Sequence, residues 1–309
     1  MDCYVKRTKL MGCSFELGVL ENDSIKADSW LKSGISEILR IENLLSEFKS
    51  DSVTTMINNS SGKTTISAGN EVFNLIDRCI KISKLTKGNF DITVGPLKKL
   101  YQFKNSEYKF PEKKIINEAL GRTGYQKIRL DKKKLSVYLT EQKMEISFAA
   151  IGKGYAADAV KKLWQRSGVS SGYINASGDL TTFGNHSDIK PWKVGIANPD
   201  NRNEILFYVP LFNSSVATSG DYEQHFWYRG KKYSHNIDPK TGLPLRGIKS
   251  ISVFSPSAEL SDALSTAVYS MGIRHGLTFV NQLPNTHCIM INEQNKIFFS
   301  KNLQYEEVS

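Results

Sequence analysis

A short segment late in the chain, Asp262-Ala-Leu-Ser-Thr266, carries oxygen-bearing side chains at helical spacing. Residues three and four positions apart share one face of a helix, so Asp262, Ser265 and Thr266 are expected to form one oxygen cluster. Mg²⁺ binds oxygen ligands, and it often uses one carboxylate together with substrate phosphates. Ser261 is the expected N-cap of this helix. The alternative is an acidic first turn that only suits the helix dipole.

A second segment, residues 147–158 with the sequence SFAAIGKGYAAD, is typical of a strand that runs into a helix through small residues. From Ile151 onwards, apolar residues recur at helical spacing. A helix start has unpaired N–H groups and a partial positive charge, and Lys153 adds a full charge, so a phosphate or carboxylate suits this corner. A tight packing turn that binds nothing is the alternative.

Three other segments bear polar groups with two possible roles each. His235 lies in a short predicted strand, 233–237, before a turn, and it is either a structural histidine or a ligand contact. Asp91 and Thr93 project from one side of a corner, as a capped turn or as a ligand grip. Residues 216–222 place two hydroxyls and a carboxylate around a glycine, which suits a phosphate or a capped turn.

The hydrophobic pattern predicts the elements that hold these residues. Helices are expected over 23–48, 71–85, 111–121, from 151 onwards and over 261–283, and the polar stretch 49–69 is expected to be a mobile or binding loop. Strands are expected over 14–20, 126–130, 135–139, 143–148, 172–176, 180–183, 192–197, 205–211, 215–218, 225–228, 232–235, 250–254, 288–291 and 296–300. This order predicts a single α+β domain over residues 1–309 with a largely antiparallel sheet.

Composition excludes several other classes of protein. The 309 residues are 40% hydrophobic and 23% charged, which is typical of a soluble globular chain. The net charge of +10 comes largely from short lysine runs in predicted turns and helix faces, so nucleic acid is not an expected partner. The sequence has no apolar run of transmembrane length and no signal-peptide pattern at its start. The four cysteines are far apart and form neither a zinc nor a disulfide pattern.

Taken together and in this order, these segments resemble the ApbE family of FAD:protein FMN transferases over nearly the whole chain. Eight blocks carry the resemblance: Met11-Gly12, 45–58 from LSEFKSDS, 90–97 (FDITVGPL), 151–158 (IGKGYAAD), 175–179 (NASGD), 217–222 (ATSGDY), 235–239 (HNIDP) and 262–266 (DALST).

The resemblance implies an ApbE-like fold, FAD as substrate and Mg²⁺ as cofactor. The implied FAD-binding residues are Met11, Phe48, Asn89, Phe90, Asp91, Ser147, Lys153 and Ile237. The implied metal ligands are Asp262, Ser265, Thr266 and the backbone carbonyl of Ala150. Lys153 and the start of its helix are then expected to meet the FAD diphosphate.

The activity implied by the resemblance is transfer of FMN from FAD to a threonine or serine of an acceptor flavoprotein, with release of AMP. His235 and Asp262 are the alternatives for the base that takes the hydroxyl proton. Family acceptors carry a Ser/Thr-Gly-Ala-Ser/Thr motif, which this sequence lacks, so the acceptor is expected to be another protein. The compartment stays unassigned, although family members are often exported and membrane-anchored.

Two other functions remain open for the same residues. A Mg²⁺-dependent FAD pyrophosphatase would let water attack and release FMN and AMP. A flavin-binding protein without catalysis is the second alternative, because this chain departs from the family pattern. Cys13 replaces a threonine, Ser177 a glycine and Asn236 an isoleucine. Ser147 stands where many members have an aspartate, and the position of Ser265 can be a second aspartate in other members. Asp262 is then the main anionic ligand, and weaker Mg²⁺ binding is expected.

Overall fold

The computed structural model describes residues 1–101, 110–187, 190–221 and 225–308. The helices in these ranges are α1 (Ser24–Leu45), α2 (Val53–Asn59), α3 (Gly69–Leu85), α4 (Gly95–Lys98), α5 (Lys113–Leu120), α6 (Gly152–Arg166) and α7 (Ala258–Val280). The strands are β1 (Asp2–Leu10), β2 (Cys13–Glu21), β3 (Ile66–Ser67), β4 (Ile128–Asp131), β5 (Ser136–Leu139), β6 (Gly172–Ala176), β7 (Asp179–Phe183), β8 (Trp192–Asn198), β9 (Asn201–Leu211), β10 (Ser215–Gly220), β11 (His225–Tyr228), β12 (Lys231–Ser234), β13 (Ile248–Ser255), β14 (His287–Asn292), β15 (Ile297–Phe299) and β16 (Glu306–Glu307).

The largest sheet has eight strands in the order β1-β2-β6-β7-β10-β13-β14-β15. Its neighbouring strands pair antiparallel, and so do those of the smaller sheets β16-β9-β8, β3-β5-β4 and β11-β12. The predicted α+β class with a largely antiparallel sheet is therefore confirmed.

The two faces of strand β2 show how the sheet is covered on both sides. Phe15, Leu17 and Val19 alternate along the strand and are fully buried in the main core with side chains from α1, α3 and α6. Leu20 points to the other face and packs with Val209 and other residues of the smaller sheet β16-β9-β8. Because successive side chains of a strand point to opposite faces, β2 carries apolar residues at both alternations.

Helices α6 and α7 lie side by side on the helical face, and a carboxylate joins them. Asp158 of α6 accepts hydrogen bonds from the Ser257 hydroxyl at 2.7 Å and from the backbone N–H groups of Ala258 and Glu259 at 3.0 Å each. The first N–H groups of a helix have no partner within that helix, and their partial positive charge favours an anion. Asp158 therefore caps α7 from a neighbouring helix.

Three local predictions are wrong. The polar stretch 49–69 contains α2, whose N-cap Ser52 accepts from the Thr55 N–H and whose Ile57 is buried. Residues 143–148 form no strand; the N–H of Ile146 is bound by the side chain of Asn58 instead. The strand expected over 233–237 ends earlier, at Ser234. In the first two cases a contact with a capping or distant side chain overrides the local pattern.

Helix α7 also begins one turn earlier than predicted. Its N-cap is Ser257, whose hydroxyl accepts from the Leu260 N–H, and not Ser261. Asp262 consequently lies in the second turn, where its side chain reaches sideways towards α6. Among the described residues, no helix has the length and apolar character to cross a membrane.

Removing the Asp158 carboxylate is expected to destabilise the fold. Three donors would be left without their charged acceptor, and hydrogen bonds to charged groups contribute about 1.5–3 kcal/mol each when partners cannot re-pair. We expect Asp158→Ala to lower the free energy of unfolding by about 3 kcal/mol in urea titrations. Asp23→Ala removes the solvent-exposed cap of α1 and is the matched control, with an expected loss of about 1 kcal/mol. Equal losses for the two variants would contradict the role given to Asp158.

Candidate functional site

The site begins where the first turn of α6 touches α7. The N–H of Gly154 donates to Asp262 Oδ2 at 3.1 Å. A Cβ at residue 154 would lie 2.2 Å from the backbone oxygen of Ala258, so only glycine permits this approach. One N–H group of this helix start is therefore bound by a carboxylate of the protein itself.

Lys153 lies between Gly152 and Gly154 in sequence, and its ammonium faces two acidic side chains. Its Nζ is 2.5 Å from Asp179 Oδ2 and 3.8 Å from Asp262 Oδ1. Asp179 lies at the start of β7, and its Oδ1 accepts from the Thr218 N–H of β10. Its Oδ2 is buried and accepts no hydrogen bond of regular geometry, so the Lys153 ammonium is the group that balances it. A buried carboxylate needs such a partner.

Hydroxyl groups extend this cluster along α7 and β10. The Oγ atoms of Ser265 and Ser219 lie 2.8 Å apart, and Ser265 also donates to the Asp262 carbonyl at 2.9 Å. Thr266 is half-buried on the same helix, and Ala150 is half-buried in the turn before α6. Asp262, Ser265 and Thr266 all lie on α7, at positions three and four apart that share one helix face.

A cavity of 430 Å³ opens beside Lys153. It is lined by four of the predicted FAD-binding residues, namely Met11, Phe48, Ser147 and Lys153. The Phe48 side chain is 90% exposed, although a phenylalanine gains free energy from burial. An aromatic ring left bare at a cavity wall is suited to stacking on a planar ligand.

The other predicted FAD-binding residues do not line this cavity. Phe90 packs in the main core, and Ile237 packs in a small cluster with Leu97. Asn89 donates to the Thr86 carbonyl at 2.7 Å and accepts from the Ser270 hydroxyl. The side chains of Phe90 and Ile237 are thus buried in hydrophobic clusters, where they hold the backbone in place.

Asp91 is buried and serves the local turn. It accepts from the N–H and hydroxyl of Thr93 and from the N–H of Tyr125. Burial raises the pKa of this carboxyl, whereas the hydrogen bonds from Thr93 and Tyr125 oppose the rise. Of the two roles weighed for Asp91, the observed contacts favour the capped turn.

The two remaining predicted segments lie on neighbouring elements. His235 is half-buried and follows directly after β12, before the turn at Asp238. Asp221 accepts from the Lys232 ammonium at 2.9 Å, so its carboxylate serves the β11–β12 hairpin. Tyr222, which belongs to the same sequence block, lies outside the described residues.

The donor set around Asp262 fits a hard divalent ion only with help from other ligands. Within the described ranges, no three His, Cys, Asp or Glu side chains are grouped closely enough to hold a metal. Oxygen atoms of Asp262, Ser265, Thr266 and the Ala150 carbonyl are the kind that Mg²⁺ accepts, and Mg²⁺ commonly completes its shell with water and phosphate oxygens. The residues present therefore fit an ion that binds together with a phosphate ligand.

One group of the site escaped the sequence analysis. Asp179 ends the quoted block 175–179, yet its pairing with Lys153 joins residues on different elements and has no local signal. Patterns along the chain give no sign that Asp179 and Lys153 meet.

Comparison with known proteins places the chain among flavin transferases. The sequence profile of the ApbE family matches residues 11–290. The FAD:protein FMN transferase of Haemophilus influenzae is 30% identical over 276 residues, covering 85% of this chain and 79% of that protein. The enzyme of the same name from Klebsiella pneumoniae is 28% identical, with 88% and 85% covered. The crystal structure of the ApbE protein of Thermotoga maritima superposes with a TM-score of 0.89 at 30% identity and covers 97% of both chains.

A methyl group at position 154 is expected to separate α6 from α7. Gly154→Ala forces backbone atoms apart, and such overpacking costs about 1–3 kcal/mol. Gly152→Ala is the matched control, because its Cβ would meet only ordinary contacts at 3.4 Å and beyond. Thermal unfolding followed by circular dichroism compares the two variants. A Gly154→Ala protein as stable as Gly152→Ala would contradict the close contact.

Proposed function

Because the chain belongs to the ApbE family, we propose that it is an FAD:protein FMN transferase, which moves FMN from FAD to a threonine or serine hydroxyl of an acceptor protein and releases AMP. One observation carries this proposal for the chain's own residues. A single cavity joins an exposed aromatic ring, Phe48, to the Lys153–Asp262 cluster. A flavin and a diphosphate need these two kinds of surface.

In this proposal the cavity binds the isoalloxazine and the diphosphate of FAD. The Phe48 ring stacks on the isoalloxazine, and Met11 covers an adjoining part of the apolar wall. The Lys153 ammonium binds the diphosphate. The ion pair with Asp179 already orients this ammonium. A side chain that is oriented before binding loses less conformational entropy when it binds a ligand.

The transfer itself forms one bond and breaks one bond. The acceptor hydroxyl oxygen bonds to the phosphorus on the flavin side of the diphosphate, and the bond between that phosphorus and the bridging oxygen breaks. AMP leaves with the bridging oxygen, and the hydroxyl proton goes to a base, for which His235 and Asp262 are the candidates. A bound Mg²⁺ would supply charge stabilisation at the phosphates. Asp262, Ser265, Thr266 and the Ala150 carbonyl would hold it.

Asp262 is the residue on which these roles converge. Its Oδ2 is fixed by the Gly154 N–H, and its Oδ1 faces the Lys153 ammonium. A carboxylate fixed in this way presents its remaining lone pairs in one direction, which suits a metal ligand. His235 is then the better candidate for the base, because a metal-bound carboxylate is a weak proton acceptor.

Product analysis tests the transferase against both alternatives. The purified protein is incubated with FAD, Mg²⁺ and an acceptor domain that carries a Ser/Thr-Gly-Ala-Ser/Thr motif, and the acceptor is read by mass spectrometry. We expect covalent FMN on the acceptor, and its loss with EDTA or with Asp262→Ala. Free FMN and AMP beside an unmodified acceptor would indicate the pyrophosphatase. FAD that stays bound and intact would indicate the flavin-binding protein and contradict the transferase.

A thermal shift tests the metal ligands without any turnover. A ligand that binds the folded state alone stabilises it by RT ln(1 + [L]/Kd), about 2.7 kcal/mol at one hundred times Kd. We expect MgCl₂ with ADP to raise the melting temperature of the wild type above the value in ADP alone. Asp262→Ala should lose the Mg²⁺ increment, whereas Asp23→Ala should keep it. An undiminished increment in Asp262→Ala would remove this residue from the metal site.

A further inference from the structure

The turn between β6 and β7 consists of two residues, Ser177 and Gly178. Both have a positive φ, which is 53° for Ser177 and 104° for Gly178. A residue with a Cβ is strained in this left-handed region, whereas glycine adopts it freely. The family pattern has a glycine where this chain has Ser177. The serine therefore keeps an unfavourable backbone conformation, and its side chain has to offset that strain.

The Ser177 hydroxyl binds the backbone of Ser14 twice. Its Oγ accepts from the Ser14 N–H at 3.2 Å and donates to the Ser14 carbonyl at 3.1 Å. The ladder between β2 and β6 ends at the pair Phe15 and Ala176, directly before Ser177. In an antiparallel ladder, a strand residue offers its N–H and its C=O to the same neighbouring strand. The hydroxyl thus takes the place of the next strand residue and extends the ladder through a side chain.

The two bonds hold the end of the β1–β2 hairpin, which carries Met11. Met11 lies in the turn between these strands, three residues before Ser14. It lines the 430 Å³ cavity, and its Cε would lie 3.4 Å from a Cβ placed on Gly152. The methionine therefore reaches the start of α6, next to Lys153.

These contacts form a closed ring beside the cavity. Met11 meets Gly152, and the next residue, Lys153, pairs with Asp179 at 2.5 Å. Asp179 is two residues from Ser177, whose hydroxyl leads back to the β1–β2 hairpin. Among the described residues, those that line the cavity do not include Ser177. Its hydroxyl therefore acts on a ligand in this cavity through the position of Met11.

We propose that Ser177 is a positioning residue for FAD in this chain, whose hydroxyl fixes Met11 relative to Lys153. The inference rests on the proposed function, which assigns Met11 to the flavin and Lys153 to the diphosphate. A ligand that meets a wall already in place pays less conformational entropy than one that has to order the wall. A glycine at position 177 has no side chain to form the two bonds, so this fixation belongs to the serine.

Binding of FAD in EDTA tests this role without metal and without turnover. Quenching of flavin fluorescence measures Kd for the wild type, Ser177→Ala, Ser177→Gly and the matched control Ser14→Ala. We expect both Ser177 variants to bind FAD about fivefold more weakly, because the ligand then has to order the cavity wall. Ser14→Ala should bind FAD as the wild type does, since both bonds use only the backbone of Ser14. In the transfer assay, the Ser177 variants should raise KM for FAD and leave kcat unchanged.

A double-mutant cycle with Met11→Ala tests the route of the effect. Because Ser177 acts through Met11, Ser177→Ala should weaken FAD binding in the wild type and have no further effect in Met11→Ala. Additive losses in the double variant would overturn the proposal. So would an unchanged Kd in both Ser177 variants, an equal loss in Ser14→Ala, or a wild type that does not bind FAD.

Melting temperatures separate positioning from a general loss of structure. Ser177→Gly relieves the left-handed strain that Ser177→Ala retains, so the glycine variant should melt at the higher temperature of the two. Their Kd values for FAD should nevertheless agree, and affinities that followed the melting temperatures would overturn the positioning role. If the alanine variant does not fold, the glycine variant replaces it in the cycle. A wild type that binds FAD and transfers nothing would contradict the transferase alone.

Discussion

The site depends on an exchange of carboxylates between α6 and α7. Asp158 of α6 binds the first N–H groups of α7, and Asp262 of α7 binds the Gly154 N–H at the start of α6. Each helix therefore supplies the anion that the other helix's N-terminus requires. The exchange is possible only because Gly154 lets the backbones touch at Ala258. Two helices are thereby held in one register, with Lys153 beside the contact.

The chemistry of the site follows from this register. Lys153 directly precedes Gly154, which forms the contact between the helices. Its ammonium therefore lies near Asp179, at the start of β7, and near Asp262. The cavity wall with Phe48 adjoins the same helix start. The charged cluster is therefore fixed by the packing of two helices on a sheet, whereas Phe48 lies in the connection between α1 and α2.

Much of the fold is local enough to be predicted from sequence. The alternation in β2, the helical spacing in α1, α3 and α6, and the hairpin β11–β12 all appear as predicted. The failures have a common cause. Helix α2 depends on the Ser52 cap and on the burial of Ile57, and β1 is paired by β2 although its own residues are mostly polar. Periodicity along the chain does not record such contacts.

Some parts of the candidate site were likewise predictable from sequence and others were not. The oxygen cluster on α7 and the glycine corner at Lys153 were predictable, because each lies within one short segment. The N-cap was misplaced because Ser257 and Ser261 are equivalent by pattern, and the buried Asp158 decides between them. The role of Asp179 could not be assigned, since it arises from the charge of Lys153 on another element. The resemblance supplied the order of the blocks but not these pairings.

The carboxylate exchange also bears on how the protein acquires its site. Gly154 and Asp262 are 108 residues apart, and Asp158 and Ser257 are 99 apart. Contacts between such distant residues form slowly, because the chain must close long loops before they contribute. All the strands from β6 to β13 lie between the two helices in sequence. A chain from which α7 has not yet emerged during synthesis thus lacks Asp262, and the charged cluster is complete only once both helices have folded.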